Sequence, residues 1–129
     1  MLRVLPFFLV AIGLILNACY DVSNSDLLRG KNEVQYRVEE KGEPGAVYFV
    51  FRNDGTWVNH YMNRRDSLVP FEPTDLVHDK SFQFWGDSMY FWDYKWDVLR
   101  HDENHLDVKM RGANRIWHMT RTDFPIVAR

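Results

Sequence analysis

Two histidines and the acidic residues between them are the first candidates for chemistry in this 129-residue chain. His101 and His105 stand four apart, a spacing at which two histidines bind zinc when a helix places both on one face. The zinc-protease motif also needs a glutamate directly after the first histidine, and Asp102 stands there. The flanking segments alternate like strands, and Asp102, Glu103 and Asn104 are typical turn residues. We therefore predict a hairpin loop here rather than a metal site.

The other candidate catalytic groups are scattered along the chain. His60 and His118 lie in strand-like segments, where each could line a cavity and titrate near neutral pH, or form one ordinary hydrogen bond. Paired catalytic carboxylates need a shared cleft, and nothing in the sequence enforces one. The sequence contains no nucleophile elbow, phosphate loop or dinucleotide fingerprint. We predict that the protein is not an enzyme and uses no cofactor.

Charge and cysteine content exclude two further classes. The chain has 16 basic and 18 acidic residues, a formal net charge of −2, which argues against a nucleic-acid-binding surface. Its single cysteine, Cys19, excludes a disulfide within the chain. Arg3 is followed by an apolar run over residues 4–16, which is shorter than the roughly 20 residues a spanning helix needs. A positive start before such a run is the layout of a signal peptide.

The end of this run resembles the lipobox of bacterial lipoproteins. The residues are Leu16-Asn17-Ala18-Cys19, with leucine three before the cysteine and a small residue just before it. The resemblance implies that residues 1–18 are removed, that Cys19 is acylated, and that residues 19–26 form a lipidated tether. Tyr20 stands where aspartate tends to retain such proteins at the inner membrane, so we expect the outer membrane. The alternative is an ordinary cysteine after an ordinary signal peptide.

Alternating apolar and polar residues predict β-strands along the rest of the chain. Val34, Tyr36 and Val38 mark one strand, and residues 106, 108 and 110 form the inward face of a later one. Asp54-Gly55 is a strong hairpin signal. Strands separated by short turns predict an all-β, antiparallel up-and-down meander, as a barrel or sandwich. Ser25 or Asp26 is expected to cap one helical turn over residues 27–29.

Residues 63–80 interrupt this pattern. A short edge strand is predicted over Ser67–Phe71, bracketed by prolines. Loops of this length inside a compact domain are usually functional or disordered. The segment is therefore either a lid at a barrel mouth or a solvated crossover.

Several short motifs resemble those of lipocalin-like bacterial lipoproteins. Residues 27–32 are similar to the opening Leu-x-Gly-x-Trp signature, Phe49–Trp57 to the Phe-x-x-Asp-Gly-Thr hairpin, and residues 96–99, 105–108 and 119–121 to the closing meander. The resemblance covers residues 27–121 and leaves 122–129 as a tail. It implies a barrel of about eight strands with Arg121 as its closing arginine. Asn32 replaces the tryptophan that stacks on that arginine, and Trp57 or Trp117 could substitute.

Aromatic residues are the remaining candidate binding groups, with eight of them within residues 82–96. Tryptophan and tyrosine are enriched at binding hot spots, although cross-strand aromatic pairs in a thick core would use the same residues. The candidate ligand or interface aromatics are Trp57, Tyr61, Phe84, Trp85, Tyr90, Trp92 and Trp96.

The predicted function is that of a lipid-anchored envelope lipoprotein that binds a small apolar or amphipathic ligand inside its barrel. The alternative is a protein-binding lipoprotein, such as an envelope assembly partner or an inhibitor or immunity protein. That alternative would use an exposed aromatic and acidic face. The interior of the barrel distinguishes the two, because a cavity favours the ligand and a filled interior with an exposed apolar patch favours a protein.

Overall fold

The computed structural model describes residues 24–71 and 80–127 and contains one short helix and nine β-strands. The helix covers residues 24–28 and is called α1. The strands are β1 Glu33–Glu40, β2 Glu43–Arg52, β3 Trp57–Met62, β4 Leu68–Pro70, β5 Gln83–Phe84, β6 Ser88–Phe91, β7 Tyr94–His101, β8 His105–Met110 and β9 Ile116–Thr122. They form one sheet in the order β4-β3-β2-β1-β9-β8-β7-β6-β5, and neighbouring strands are antiparallel. The all-β meander is therefore confirmed, with nine strands rather than about eight.

The sheet is curled, and the segment before β5 hydrogen-bonds to the start of β3, as β4 does to its later part. One part of the free edge of β3 pairs with β4, and the N–H of Phe71 donates to the carbonyl oxygen of Asn59 at 2.9 Å. Nearer the start of β3, the N–H of Trp57 donates to the carbonyl oxygen of Lys80 at 2.8 Å. Residues 80–82 then lead into β5, which pairs with β6 at the other end of the sheet. The predicted edge strand within 67–71 is confirmed as β4, whereas residues 72–79 of the predicted lid lie outside the described residues.

Aromatic rings fill the middle of the curled sheet. Phe49 on β2 and Phe91 on β6, strands far apart in the sheet order, have ring centroids only 5.4 Å apart. Phe91 also contacts the rings of Phe51 at 5.5 Å, Trp57 at 5.9 Å and Trp96 at 5.3 Å. Edge-to-face and offset pairs at these separations are the favoured aromatic geometries. The side chains of opposite walls therefore touch, and the centre of the interior is packed.

A second apolar cluster lies on the outer face of the sheet. Tyr48, Val50 and Leu68 are buried there beneath residues 123–127, and the ring of Phe124 packs edge-on against Tyr48 at 6.0 Å. The tail also pairs with β4, because the N–H of Leu68 donates to the carbonyl oxygen of Pro125. Residues 123–127 thus belong to the fold and are not a separate tail.

Gln35 is buried by this arrangement, although its position in the alternation predicts an outward, solvated side chain. It is 7% exposed, and its amide group bonds with the backbone N–H and C=O of Phe124, each at 2.8 Å. Its oxygen also accepts from the hydroxyl of Thr122 at 2.9 Å. The outward face of β1 is therefore covered by the chain's own C-terminal segment.

Helix α1 closes one end of the curled sheet. It starts at residue 24, before the predicted turn at 27–29, and the side-chain oxygen of Asn24 accepts from the N–H of Phe84 at 2.9 Å. Leu27 and Leu28 are buried in the core. Within the described residues, no helix is long and apolar enough to cross a membrane. The signal-peptide and lipidation predictions, Cys19 included, concern residues outside the described part.

Candidate functional site

The curled sheet has two unlike ends, and each carries a group of polar and aromatic side chains. The helix end is the one that α1 covers, where β1 begins and β9 finishes. The opposite end, here called the rim, is formed by the β6–β7 turn, the end of β3 and the start of β9. Successive strand residues point to opposite faces of the sheet. At either end, the inward-facing residues beyond the packed interior are therefore the ones that a ligand could contact.

Trp92 occupies the tip of the β6–β7 turn in an unusual backbone conformation. Both turn residues have positive φ, 53° for Trp92 and 63° for Asp93. This region favours glycine, asparagine and aspartate, and it is strained for a bulky residue. The indole of Trp92 stacks on that of Trp117, with centroids 5.2 Å apart and planes at 25°, and contacts Tyr94 edge-on at 6.0 Å. The turn therefore holds an indole at the rim at a backbone cost.

An ion pair borders these rings. The Nε of Arg115 donates to Glu40 at 3.0 Å, and the indole N–H of Trp117 donates to the same carboxylate oxygen. The guanidinium also lies 5.1 Å from the ring centroid of Trp117 and 5.7 Å from that of Trp92. The hydrogen bond from Trp117, then that from Arg115, lowers the pKa of Glu40. The rim thus combines aromatic faces with a fixed carboxylate and a guanidinium.

Two tyrosines continue the inward face of their strands to the rim. Tyr61 lies two positions beyond Asn59, the cross-strand partner of inward-facing Phe49, and is 44% exposed. Tyr94 lies two positions before buried Trp96 and is 49% exposed. The interior next to them is filled by packed aromatic side chains. The rings of Tyr61 and Tyr94 therefore remain exposed at the rim, on the inward-facing side of their strands.

The seven predicted ligand or interface aromatics fall into three groups. Trp57, Phe84 and Trp96 are buried in the core, and the indole N–H of Trp96 donates to the carbonyl oxygen of Phe91 at 3.2 Å. Tyr61 and Trp92 lie at the rim. Tyr94, which the sequence did not single out, lies there as well. Trp85 is exposed on the β5–β6 turn, and Tyr90 is half-buried.

The helix end carries an open cleft of about 630 Å³. Its lining is polar and consists of Arg29, Lys31, Glu103, Asn104, Arg121, Thr122 and Asp123. Arg121, the candidate barrel-closing arginine, lies opposite buried Tyr36 in the β1–β9 register. No tryptophan ring stacks on its guanidinium within the described residues. Asn32, at the family's tryptophan position, instead accepts a side-chain hydrogen bond from Asn53 at 3.1 Å.

The predicted hairpin at residues 101–105 is confirmed, and it separates the two histidines. The ring of His101 packs edge-on against Phe84 at 4.9 Å, whereas the Nδ1 of His105 lies 3.1 Å from the carboxylate of Asp102. Backbone hydrogen bonds from the loop, first that of Asn104, hold the pKa of Asp102 far below its usual range. In residues 24–71 and 80–127, no three potential metal-ligating side chains are grouped.

The two strand histidines differ in burial. His60 is 1% exposed on the outer face, with Nδ1 3.0 Å from the carbonyl oxygen of Val58, and burial lowers its pKa. His118 is exposed, and its Nδ1 lies 3.0 Å from Asp107. His60 lies neither in the helix-end cleft nor at the rim, whereas His118 lines a cleft of about 280 Å³ with Glu40 and Arg115.

Comparison of the chain with protein-family models, curated proteins and solved structures found no match. The resemblance to lipoproteins and lipocalins therefore depends on the short motifs quoted above. Arg29, Glu40 and Arg115 were missed as candidate functional residues because single charged residues at turns and strand ends carry no local signal.

Proposed function

We propose that the protein is a lipid-anchored envelope lipoprotein whose lipocalin-like barrel binds a small amphipathic molecule at its rim. The observation that carries this proposal is the exposure of inward-facing Tyr61 and Tyr94 at the rim, with Tyr94 against Trp92 and Trp92 beside the Glu40–Arg115 ion pair. Aromatic faces suit an apolar or ring-containing part of a ligand, and the charged pair suits a polar head. The proposed activity is binding, without turnover.

The lipocalin-like barrel is supported by the pairing along β3. β4 and the segment that leads into β5 lie one after the other on the same edge of β3, with residues 72–79 between them. Counted as one interrupted strand, they reduce nine strands to eight and join β3 to β6. An up-and-down barrel of eight strands has an interior just wide enough for side chains to fill it. The ring contacts between Phe49 and Phe91 agree with that size.

The packed interior moves the proposed ligand from inside the barrel to its rim. A drug-sized ligand usually occupies about 300–1,000 Å³, whereas among the described residues the contacts of Phe91 with Phe49 and Phe51 on the opposite wall fill the centre. A ligand would instead lie across Tyr61, Trp92 and Tyr94. Its contact area would be smaller than in a hollow barrel, so we expect moderate affinity.

The ligand proposal is tested on the mature chain without its acyl groups, residues 20–129. Native mass spectrometry should find a co-purified lipid, and titration with a fluorescent fatty acid should be saturable. Tyr94→Ala should weaken binding by about two- to twelvefold, because an aromatic contact contributes roughly 0.5–1.5 kcal/mol. Leu99→Ala is the matched control, since Leu99 is a 55% exposed residue of the same strand and lies away from the rim. Absence of lipid and of probe binding would remove the ligand proposal.

The anchor is tested separately. Cys19→Ser should abolish palmitate labelling and release the protein from bacterial membranes, with the outer membrane as the expected site of the unmodified protein. A Cys19→Ser chain that stays membrane-bound and labelled would contradict the lipoprotein assignment.

A protein partner at the same rim is the second candidate. The filled interior favours it, because an aromatic surface above a packed floor is also the composition of an interface hot spot. A photo-crosslinker at position 94 would distinguish the two. One envelope protein captured at position 94 and not at position 99 would support the protein partner, whereas retained lipid would support the ligand.

A further inference from the structure

We propose that the helix-end cleft binds a phosphate-type oxyanion between Arg29 and Arg121. The group could be the headgroup of an anionic phospholipid or free phosphate, and the experiment below distinguishes these sources. This site is separate from the rim, because it lies at the opposite end of the curled sheet. It therefore adds a second binding function to the one proposed above.

The cleft offers positive charge that the described residues do not neutralise. Arg29, Lys31 and Arg121 line it, and none of the three forms an ion pair within residues 24–71 and 80–127. Glu103 and Asp123 also line it, so the cations exceed the carboxylates by one. Guanidinium groups bind phosphate by paired, charge-assisted hydrogen bonds, which are stronger than neutral ones.

Two buried polar atoms lie beneath these cations without a hydrogen-bond partner. They are the hydroxyl of Tyr36, a residue that is 0% exposed, and the Nε2 of His101. Burial raises the pKa of Tyr36 and lowers that of His101. The charge of Arg29 lowers the pKa of both groups, and Arg121 lowers that of Tyr36 through its charge and its approach to the hydroxyl, whereas the carboxylate of Asp102 raises both. Buried polar groups nearly always have partners, so an orphaned hydroxyl needs an explanation. An oxyanion held between the two guanidiniums would bring an acceptor towards this donor.

The position of the cleft favours a phospholipid headgroup as the source, and this step depends on the proposed acylation of Cys19. Only four residues lie between Cys19 and the start of α1 at Asn24, so the two are five positions apart. A fully extended chain of that length spans at most about 18 Å. An acylated Cys19 would therefore hold the helix end, and with it Arg29 and Lys31, close to the headgroups of the membrane.

The test measures binding of two probes to the full chain, purified in a non-ionic detergent. Calorimetric titration with inorganic phosphate and with dihexanoyl phosphatidylglycerol should show saturable binding, and dihexanoylglycerol, which lacks phosphate, should not bind. Arg29→Gln and Arg121→Gln should each weaken binding by about tenfold or more, the usual effect of losing a charged hydrogen bond. Arg64→Gln is the matched control, because Arg64 is an exposed arginine in the β3–β4 turn near the rim.

Each outcome decides the proposal. Arginine-dependent binding of both probes, or of the lipid alone, supports a headgroup site, and arginine-dependent binding of phosphate alone supports a free-anion site. No saturable binding, or equal binding by Arg29→Gln and Arg64→Gln, would overturn the proposal. Near-ultraviolet circular dichroism and the Arg29→Lys variant, which keeps the charge, separate loss of the site from loss of the fold. Failure of the anchor would appear independently, in the Cys19→Ser labelling experiment.

Discussion

Tyr36 and Arg121 lie directly opposite each other on β1 and β9, and both side chains continue the inward face of their strands. Tyr36 is completely buried, and its hydroxyl has no hydrogen-bond partner within the described residues. Burial raises the pKa of Tyr36, and the nearby positive charges of Arg121 and Arg29 oppose this shift. This pair therefore places a buried hydroxyl of the core next to an arginine that lines the open cleft at the helix end.

Tyr36→Phe should therefore leave the free energy of unfolding unchanged or raise it by up to about 1 kcal/mol, because it removes a buried polar group that gains no hydrogen bond. Urea unfolding measures this. Thr122→Val is the contrasting variant, since the Thr122 hydroxyl does donate, to Gln35, and its loss should cost about 1 kcal/mol. A loss of 2 kcal/mol or more in Tyr36→Phe would mean that the hydroxyl has a strong partner.

Phe91 is the residue whose truncation tests the packed interior. Its ring contacts five other aromatic rings, those of Phe49, Phe51, Trp57, Trp96 and Trp117. Phe91→Ala should lower the free energy of unfolding by about 3–5 kcal/mol, since the surrounding rings cannot all collapse into the cavity. Leu99→Ala, an exposed position, should change it by less than about 0.5 kcal/mol. A small effect at Phe91 would indicate a loose or hollow interior.

Acid should destabilise the fold through two histidines. Burial lowers the pKa of His60 and of His101 in the folded protein below the ordinary value of 6.5. The unfolded chain therefore binds more protons as the pH falls through 6.5, so this contribution to stability is complete above that pH and is lost below it. The carboxyl groups of Glu40 and Asp102, with lowered pKa values, stay ionised in this range.

Urea unfolding between pH 8 and pH 5.5 measures this loss. His60→Gln should reduce the pH dependence, whereas Leu99→Ala, at an exposed position with no titratable group, should leave it unchanged. Stability that does not fall between these pH values would show that neither buried ring resists protonation.

The turn at Trp92 predicts an unusual order of substitutions. Alanine at position 92 would lose the stacking on Trp117 and keep the strain of positive φ, whereas glycine would lose only the stacking. Trp92→Gly should therefore be more stable than Trp92→Ala by about 1 kcal/mol in thermal or urea unfolding. The order should reverse at Tyr94, which lies in a strand. Equal stability of the two Trp92 variants would argue against a strained turn.

The sequence predicted most of the strands because alternation and turn chemistry are local. Val34, Tyr36 and Val38 are buried as predicted, and the Asp54-Gly55 turn closes its hairpin through an N–H bond from Arg52 to the carbonyl oxygen of Thr56. The candidate site was harder to predict. Which face of a strand is covered depends on distant segments, so the alternation could not separate the buried Trp57 and Trp96 from rim residues such as Tyr94.

Gln35 is the clearest case of a position that local pattern cannot predict. Its burial depends on the C-terminal segment, 89 residues away at Phe124. Residues 122–129 lack alternation, so the sequence pattern predicts a tail outside the domain. Their pairing with Leu68 joins segments that are far apart in the sequence, and a local pattern cannot show it. Long-range pairing of this kind leaves no periodic trace in the segment itself.

The C-terminal segment should therefore be necessary for stability. Deleting residues 123–129 would expose Tyr48, Val50 and Leu68 and would leave the buried amide of Gln35 with only its Thr122 partner. An unsatisfied buried polar group costs about 1–3 kcal/mol, and exposure of the apolar cluster adds to this. We expect the free energy of unfolding in urea to fall by at least about 3 kcal/mol. Hydrogen exchange at the Leu68 amide should become faster, because this N–H donates to the carbonyl oxygen of Pro125 in the intact chain. Leu99→Ala, at an exposed strand position, is the control and should change neither by a comparable amount. If the deletion proved as stable as the intact chain, the packing of residues 123–127 against the sheet would be incorrect.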